Sequence, residues 1–109
     1  MDHQKLLKKY IPMTETAFYI LLALAEPRHG YGIIKHVEEI SGGRLRLGSG
    51  TIYGTLGKMQ KDDMITVFAD IDRKTVYEIT DAGKDLMRAE MKRLEELHAN
   101  ILKYGGEFR

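Results

Sequence analysis

Two adjoining stretches decide the fold: Ser49-Gly50-Thr51-Ile52-Tyr53-Gly54-Thr55-Leu56-Gly57-Lys58-Met59-Gln60-Lys61-Asp62, and then Ile65-Thr66-Val67-Phe68-Ala69-Asp70-Ile71-Asp72-Arg73-Lys74-Thr75-Val76-Tyr77-Glu78-Ile79-Thr80. In the first, Ile52, Leu56 and Met59 recur at helical spacing, which predicts a helix from Gly50 to about Asp62 with Ser49 as its N-cap. In the second the period changes. Ile65, Val67 and Ala69 alternate with polar or outward positions, and so do Thr75, Tyr77 and Ile79, with a polar turn at Asp70–Lys74 between them. That is a β-hairpin following directly on a helix. The helix breaks a rule, because Gly54 and Gly57 lie in its interior and each costs about 1 kcal/mol relative to alanine. Close packing, or close approach of a ligand backbone, has to offset that.

Upstream, Thr14 is placed as an N-cap with Glu15 in the first turn, and Glu15–Ala25 is nearly apolar on all sides, as a helix buried on more than one face would be. Glu26–Gly30 ends it. A second helix begins near Gly30, with Ile33, Ile34, Val37 and Ile40 inward and Lys35, His36, Glu38 and Glu39 outward. Ser41-Gly42-Gly43 stops that helix, and a connector carrying Arg44 and Arg46 leads to Ser49. A leader at Met1–Tyr10 has Leu6, Leu7 and Tyr10 at helical spacing. Downstream, Thr80 caps a last helix that can run to Tyr104, about 36 Å at 1.5 Å per residue. That is longer than so small a domain needs for its own core.

The result is an α+β, mostly helical chain whose order of helices and strands is that of a winged helix-turn-helix with a long C-terminal dimerisation helix. The expected division is a DNA-binding domain over 1–79, leader included, and the dimerisation helix over 80–109. The sequence also resembles the PadR family of bacterial transcriptional regulators along nearly its whole length. The resemblance is carried by Thr14-Glu15-Thr16-Ala17-Phe18-Tyr19-Ile20-Leu21-Leu22-Ala23-Leu24, by His29-Gly30-Tyr31-Gly32-Ile33, by Gly50-Thr51-Ile52-Tyr53-Gly54-Thr55-Leu56, and by Arg73-Lys74-Thr75-Val76-Tyr77-Glu78-Ile79-Thr80-Asp81-Ala82-Gly83. It implies a homodimeric repressor of operator DNA released by a small molecule or other signal, of the short kind with a single C-terminal helix. The chain departs from the family pattern at Gly54, where proline is common, and at Gln60, where glutamate is common. It also has no tryptophan, so the paired-tryptophan drug platform of some short members cannot exist here.

The expected DNA contacts follow from residue type. Ser49, Thr51 and Thr55 can bond phosphates or base edges, Gly50 and Gly54 remove bulk, and Lys58 and Lys61 add charge near the backbone. Tyr53 can pack its ring at the core edge while its hydroxyl reaches a phosphate. Arg73 and Lys74 at the hairpin tip suit a wing over the adjacent minor groove or phosphates. Lys35 is a further phosphate candidate, and Arg44 and Arg46 either serve in the same way or solvate their loop.

On the last helix, Met87, Leu94 and Ile101 stand seven apart, Leu97 and Tyr104 fill the alternate seam positions, and Met91 and Leu102 widen an apolar stripe toward a second copy of the chain, although Glu90 spoils the strict heptad. Phe18, Tyr19 and Tyr104 are the candidates for binding a small aromatic effector. The expected partner is double-stranded operator DNA with an inverted repeat. A winged-helix module that binds protein instead of DNA is the alternative.

Composition sets the outer limits. The chain has 109 residues, is 43% hydrophobic and 30% charged, and has no cysteine, which excludes disulfides, thiol nucleophiles and thiolate zinc sites. The four histidines have no metal-site spacing, and neither phosphate-loop nor dinucleotide glycine patterns fit, so no metal, cofactor or enzymatic activity is expected. The longest apolar run, Ala17–Ala25, is far short of the roughly 20 residues of a membrane span, and the default expectation is a cytoplasmic protein. The net charge of +1 hides a separation: residues 1–61 carry +4 and residues 62–109 carry −3. The positive half is the one with the proposed reading helix.

Overall fold

The computed structural model describes residues 2–109. The elements run α1 (His3–Tyr10), α2 (Glu15–Ala23), β1 (Arg28–His29), α3 (Gly30–Ile40), α4 (Ser49–Lys61), β2 (Ile65–Ile71), β3 (Lys74–Ile79) and α5 (Asp81–Tyr104), followed by a 3-10 turn at Gly105–Phe108. Residue 1, at the start of the expected leader, lies outside the described residues.

The helix ends follow local chemistry. Asp2 accepts the Lys5 amide at 2.9 Å, Thr14 accepts the Ala17 amide at 3.1 Å, and Thr80 accepts the Gly83 amide at 3.1 Å. α3 closes through Gly42 and Gly43, both in the left-handed region at φ 63° and 81°. One cap differs from expectation. Gly48, not Ser49, is the N-cap of α4; Ser49 is already helical, and no side chain caps that end.

The core is built around α2, whose Ile20, Leu21 and Ala23 are buried. Leu6 of α1, Ile33 and Val37 of α3, Ile52, Leu56 and Met59 of α4, Met64, Ile65, and Leu86 of α5 complete it. Gly83 explains itself sterically, since a Cβ there would strike the Met64 carbonyl and the Ile79 side chain.

The sheet is larger than the expected hairpin. It has three antiparallel strands in the order β1-β3-β2, and the segment read as a helix-ending loop contributes β1, with Arg28 opposite Tyr77 and His29 opposite Val76. Arg28 also donates from Nε to the Ala23 carbonyl at 2.7 Å, so the same residue closes α2 and starts the strand. The hairpin turn is tighter than Asp70–Lys74. Ile71 pairs with Lys74, and the turn itself is Asp72-Arg73, both left-handed at φ 52° and 65° as a two-residue hairpin requires. A register shift between Val67 and Ala69 breaks the alternation of β2, and Val67 is exposed rather than inward.

Candidate nucleic-acid interface

α4 has two unlike faces. Ile52, Leu56 and Met59 are fully buried, whereas Ser49, Gly50, Thr51, Tyr53, Gly54, Gly57, Lys58 and Lys61 are exposed and Thr55 is half-buried. At 100° per residue, Gly50, Gly54, Gly57 and Lys61 fall within an arc of about 60° opposite the buried stripe. A Cβ placed on Gly50, Gly54 or Gly57 meets nothing within 4 Å. Packing within the chain is therefore not what these glycines serve, and the outward ridge of the helix is nearly bare backbone. Tyr53 lies on one flank. It is 54% exposed, yet a Cβ on Gly30 would come within 2.7 Å of its hydroxyl oxygen, so the ring occupies the place of a side chain at the start of α3.

The cations divide into engaged and unengaged groups. Arg44 is paired with the Glu15 carboxylate, and the guanidinium holds that carboxyl below its usual range. Arg46 Nε lies 3.2 Å from Glu38 Oε1. Lys35 sits over the Tyr31 ring, 5.6 Å from its centroid, on the exposed side of α3. Lys58, Lys61, Arg73 and Lys74 form no ion pair among the described residues and are all exposed. Exposed Phe68 and Ile71 stand on β2 beside the hairpin tip.

The far end of α4 holds a contact that sequence reading missed. Asp62, the C-cap, is 8% exposed and accepts from Lys9 Nζ at 2.7 Å and from the Tyr10 hydroxyl at 2.5 Å. A carboxylate at a helix C-terminus opposes the helix dipole. Here two donors from α1 offset that and hold the Asp62 carboxyl below its usual range. Burial and the neighbouring carboxylate together push the Tyr10 hydroxyl well above the usual tyrosine range. No spacing rule connects residues so far apart in the chain.

The predicted seam of α5 divides along its length. Met87 is 7% exposed and belongs to the chain's own core, and Leu94 is half-buried. Met91, Leu97, Ile101 and Tyr104 are exposed. Glu90, the residue that interrupts the heptad, is 1% exposed. It accepts from the Met13 amide at 2.6 Å and from Arg93 at 2.5 and 3.1 Å.

Phe18 and Tyr19 pack edge to face, 5.9 Å between centroids. They line a hollow of about 280 Å³ with Met13, Glu90, Arg93 and Leu94. Tyr104 is not part of that hollow and borders a separate one with Leu97, Ile101 and Phe108, so the three aromatic candidates do not meet within one chain. Among the described residues no helix is long and apolar enough to cross a membrane.

With this geometry established, the comparisons with known proteins are specific. Residues 20–89 match the model of the transcriptional regulator PadR-like family. Over 85 residues the chain is 31% identical to an uncharacterized 37.1 kDa protein of a Streptomyces fradiae transposon, covering 77% of this chain and 24% of that protein, so it spans about a quarter of that relative's length. Among solved structures, a PadR family transcription regulator from Clostridium difficile superposes with a TM-score of 0.73 at 21% identity, covering 85% of this chain and 100% of the other. Bacillus subtilis PadR, solved in complex with operator DNA, superposes with a TM-score of 0.63 at 25% identity, covering 72% of this chain and 47% of the other. The winged fold, the order of elements and the family match converge: the chain belongs to the PadR-like family of transcriptional regulators, which are not enzymes.

Proposed function

We propose that the chain is a sequence-specific DNA-binding regulator, a homodimeric cytoplasmic repressor released by a small molecule or other signal. The observation that carries this is the outward face of α4. It is a helix whose apolar stripe lies wholly in the core and whose opposite face has small residues, hydroxyls and lysines with no ion pair among the described residues, which suits entry into a major groove about 12 Å wide. The structure of Bacillus subtilis PadR on operator DNA supports the same use of the fold.

In this reading residues 1–79 engage DNA. Ser49, Gly50, Thr51, Tyr53, Gly54 and Thr55 approach the groove, Lys35, Lys58 and Lys61 approach phosphates, and the wing brings Arg73 and Lys74 to the flanking backbone. Residues 80–109 pair two chains through Met91, Leu94, Leu97, Ile101 and Tyr104, with Met87 at the core end of the stripe. If the two α4 helices stand about 34–36 Å apart, the operator is an inverted repeat with half-sites one helical turn apart. An aromatic effector fits the hollow at Phe18 and Tyr19, and Tyr104 takes part where the second chain carries it there.

The test is binding to genomic fragments selected by the protein, measured against random duplex over a range of salt. Arg73→Ala with Lys74→Ala should weaken binding to all sequences and flatten the salt slope by up to about two phosphate contacts per half-site. Gly54→Leu should damage selected-site binding while the protein stays folded, since the added side chain enters open space. No affinity for any duplex at moderate salt would instead favour a protein-binding module.

A further inference from the structure

We infer that the hollow where α1 meets the far half of α4 is a phosphate site, taken by a backbone phosphate flanking the groove that α4 enters. This rests on the DNA-binding reading and adds to it a contact from the leader. Lys9, Tyr10 and Thr14 all precede Ile20, where the family match begins.

The hollow holds about 290 Å³ and is lined by Lys9, Tyr10, Thr14, Thr55 and Lys58 together with less polar neighbours. Lys9 is fixed rather than free. Its ammonium gives one of its three N–H donors to Asp62 at 2.7 Å, which leaves two for a ligand, and its side chain is 50% exposed. The Asp62 side chain behind it is only 9% exposed and also takes the Tyr10 hydroxyl, so the solvent side of the pair presents the cation. Lys58, with no ion pair among the described residues, is the second cation on the rim, giving two ammonium groups against one withdrawn carboxylate. Thr14 accepts the Ala17 amide on its oxygen and keeps its own O–H free to donate, and Thr55 adds a second hydroxyl.

The placement matters as much as the donors. Thr55 and Lys58 stand on the edge of the exposed face of α4, so an anion in the hollow lies beside whatever that face approaches. A lysine held in place before binding loses less freedom on binding than a mobile one.

The experiment uses the full chain and duplexes bearing a selected site or a random sequence. Lys9→Gln should flatten the log–log salt slope by about 0.9 per half-site, the value of one phosphate contact on B-DNA and so about 1.8 for the bound dimer, equally on both duplexes. Lys9→Arg should restore the slope. Replacing single phosphates with neutral methylphosphonates should reveal one position per half-site whose loss weakens the native protein and leaves Lys9→Gln indifferent.

The proposal is overturned if Lys9→Gln keeps the native slope, or if no such phosphate position exists. It is also overturned if inorganic phosphate raises the melting temperature of the native protein and not of Lys9→Gln while their DNA slopes coincide, since the site would then serve a free anion. Native protein with a steep slope that Lys9→Gln does not change defeats this inference alone. Native protein that ignores duplex DNA defeats the regulator reading and this inference together.

Discussion

The two halves of α5 carry similar side chains and meet opposite fates. In the first half Leu86 is 0% exposed and Met87 7%, in the same core as Ile20, Leu21 and Ala23 of α2. In the second half Leu97 is 47% exposed and Ile101 51%, on a stretch that runs past the rest of the domain. A helical repeat of apolar residues specifies a face to be covered, but not the chain that covers it. Glu90 marks the border. Its carboxylate fastens α5 to the connector before α2 through the Met13 amide, and it is the last fully buried position before the helix leaves its own domain. A strict heptad would have put an apolar residue there and blurred the boundary.

That contrast can be broken from either side. Leu86→Ala should have the largest effect, lowering folding stability by about 3–4 kcal/mol through transfer and cavity costs, read from denaturant midpoints. Ile101→Asp should leave the fold intact and weaken self-association about a hundredfold, on the order of 2–3 kcal/mol, read by sedimentation or light scattering. If Ile101→Asp unfolded the chain instead, the overhanging half would belong to the domain core.

Glu90→Gln should cost about 1–2 kcal/mol, since one partner of a charge-assisted set is weakened while its shape stays. Arg93, with help from the Met13 amide, holds the Glu90 carboxyl below its usual range. The folded chain therefore binds that proton less readily than the unfolded chain. The stabilisation is complete above the ordinary glutamate pKa and is lost as pH falls through the lowered one. The acid limb of a stability–pH curve below about pH 4 should be shallower in Glu90→Gln.

Where local chemistry decides structure, the sequence was readable. Thr14 and Thr80 cap the helices they precede, Gly42-Gly43 ends α3, and Ile52, Leu56 and Met59 form the buried stripe of α4. Where distant residues decide it, reading failed for identifiable reasons. β1 is a pair of residues with no period of its own, made a strand only by Tyr77 and Val76 across the sheet. Asp62 read only as the end of a helix because its partners, Lys9 and Tyr10, lie more than fifty residues upstream in the chain. Glu90 looked like a flaw in a seam because the amide it satisfies belongs to the connector before α2. The residue types of the candidate interface were legible from the start. Which of its cations are free was not, because Arg44 and Arg46 find their carboxylates only in three dimensions.

The bare ridge of α4 bears on motion. Gly54 and Gly57 together forfeit on the order of 2 kcal/mol of helix propensity relative to alanine. Nothing on the exposed side repays that, so the helix is kept in shape by its buried side alone. Its amide hydrogens should exchange with deuterium through local opening well before those of α2, and duplex DNA should slow them. If α4 meets DNA as proposed, its rigidity is acquired on binding, and the ordering of α4 becomes part of what distinguishes a fitting sequence from a poor one.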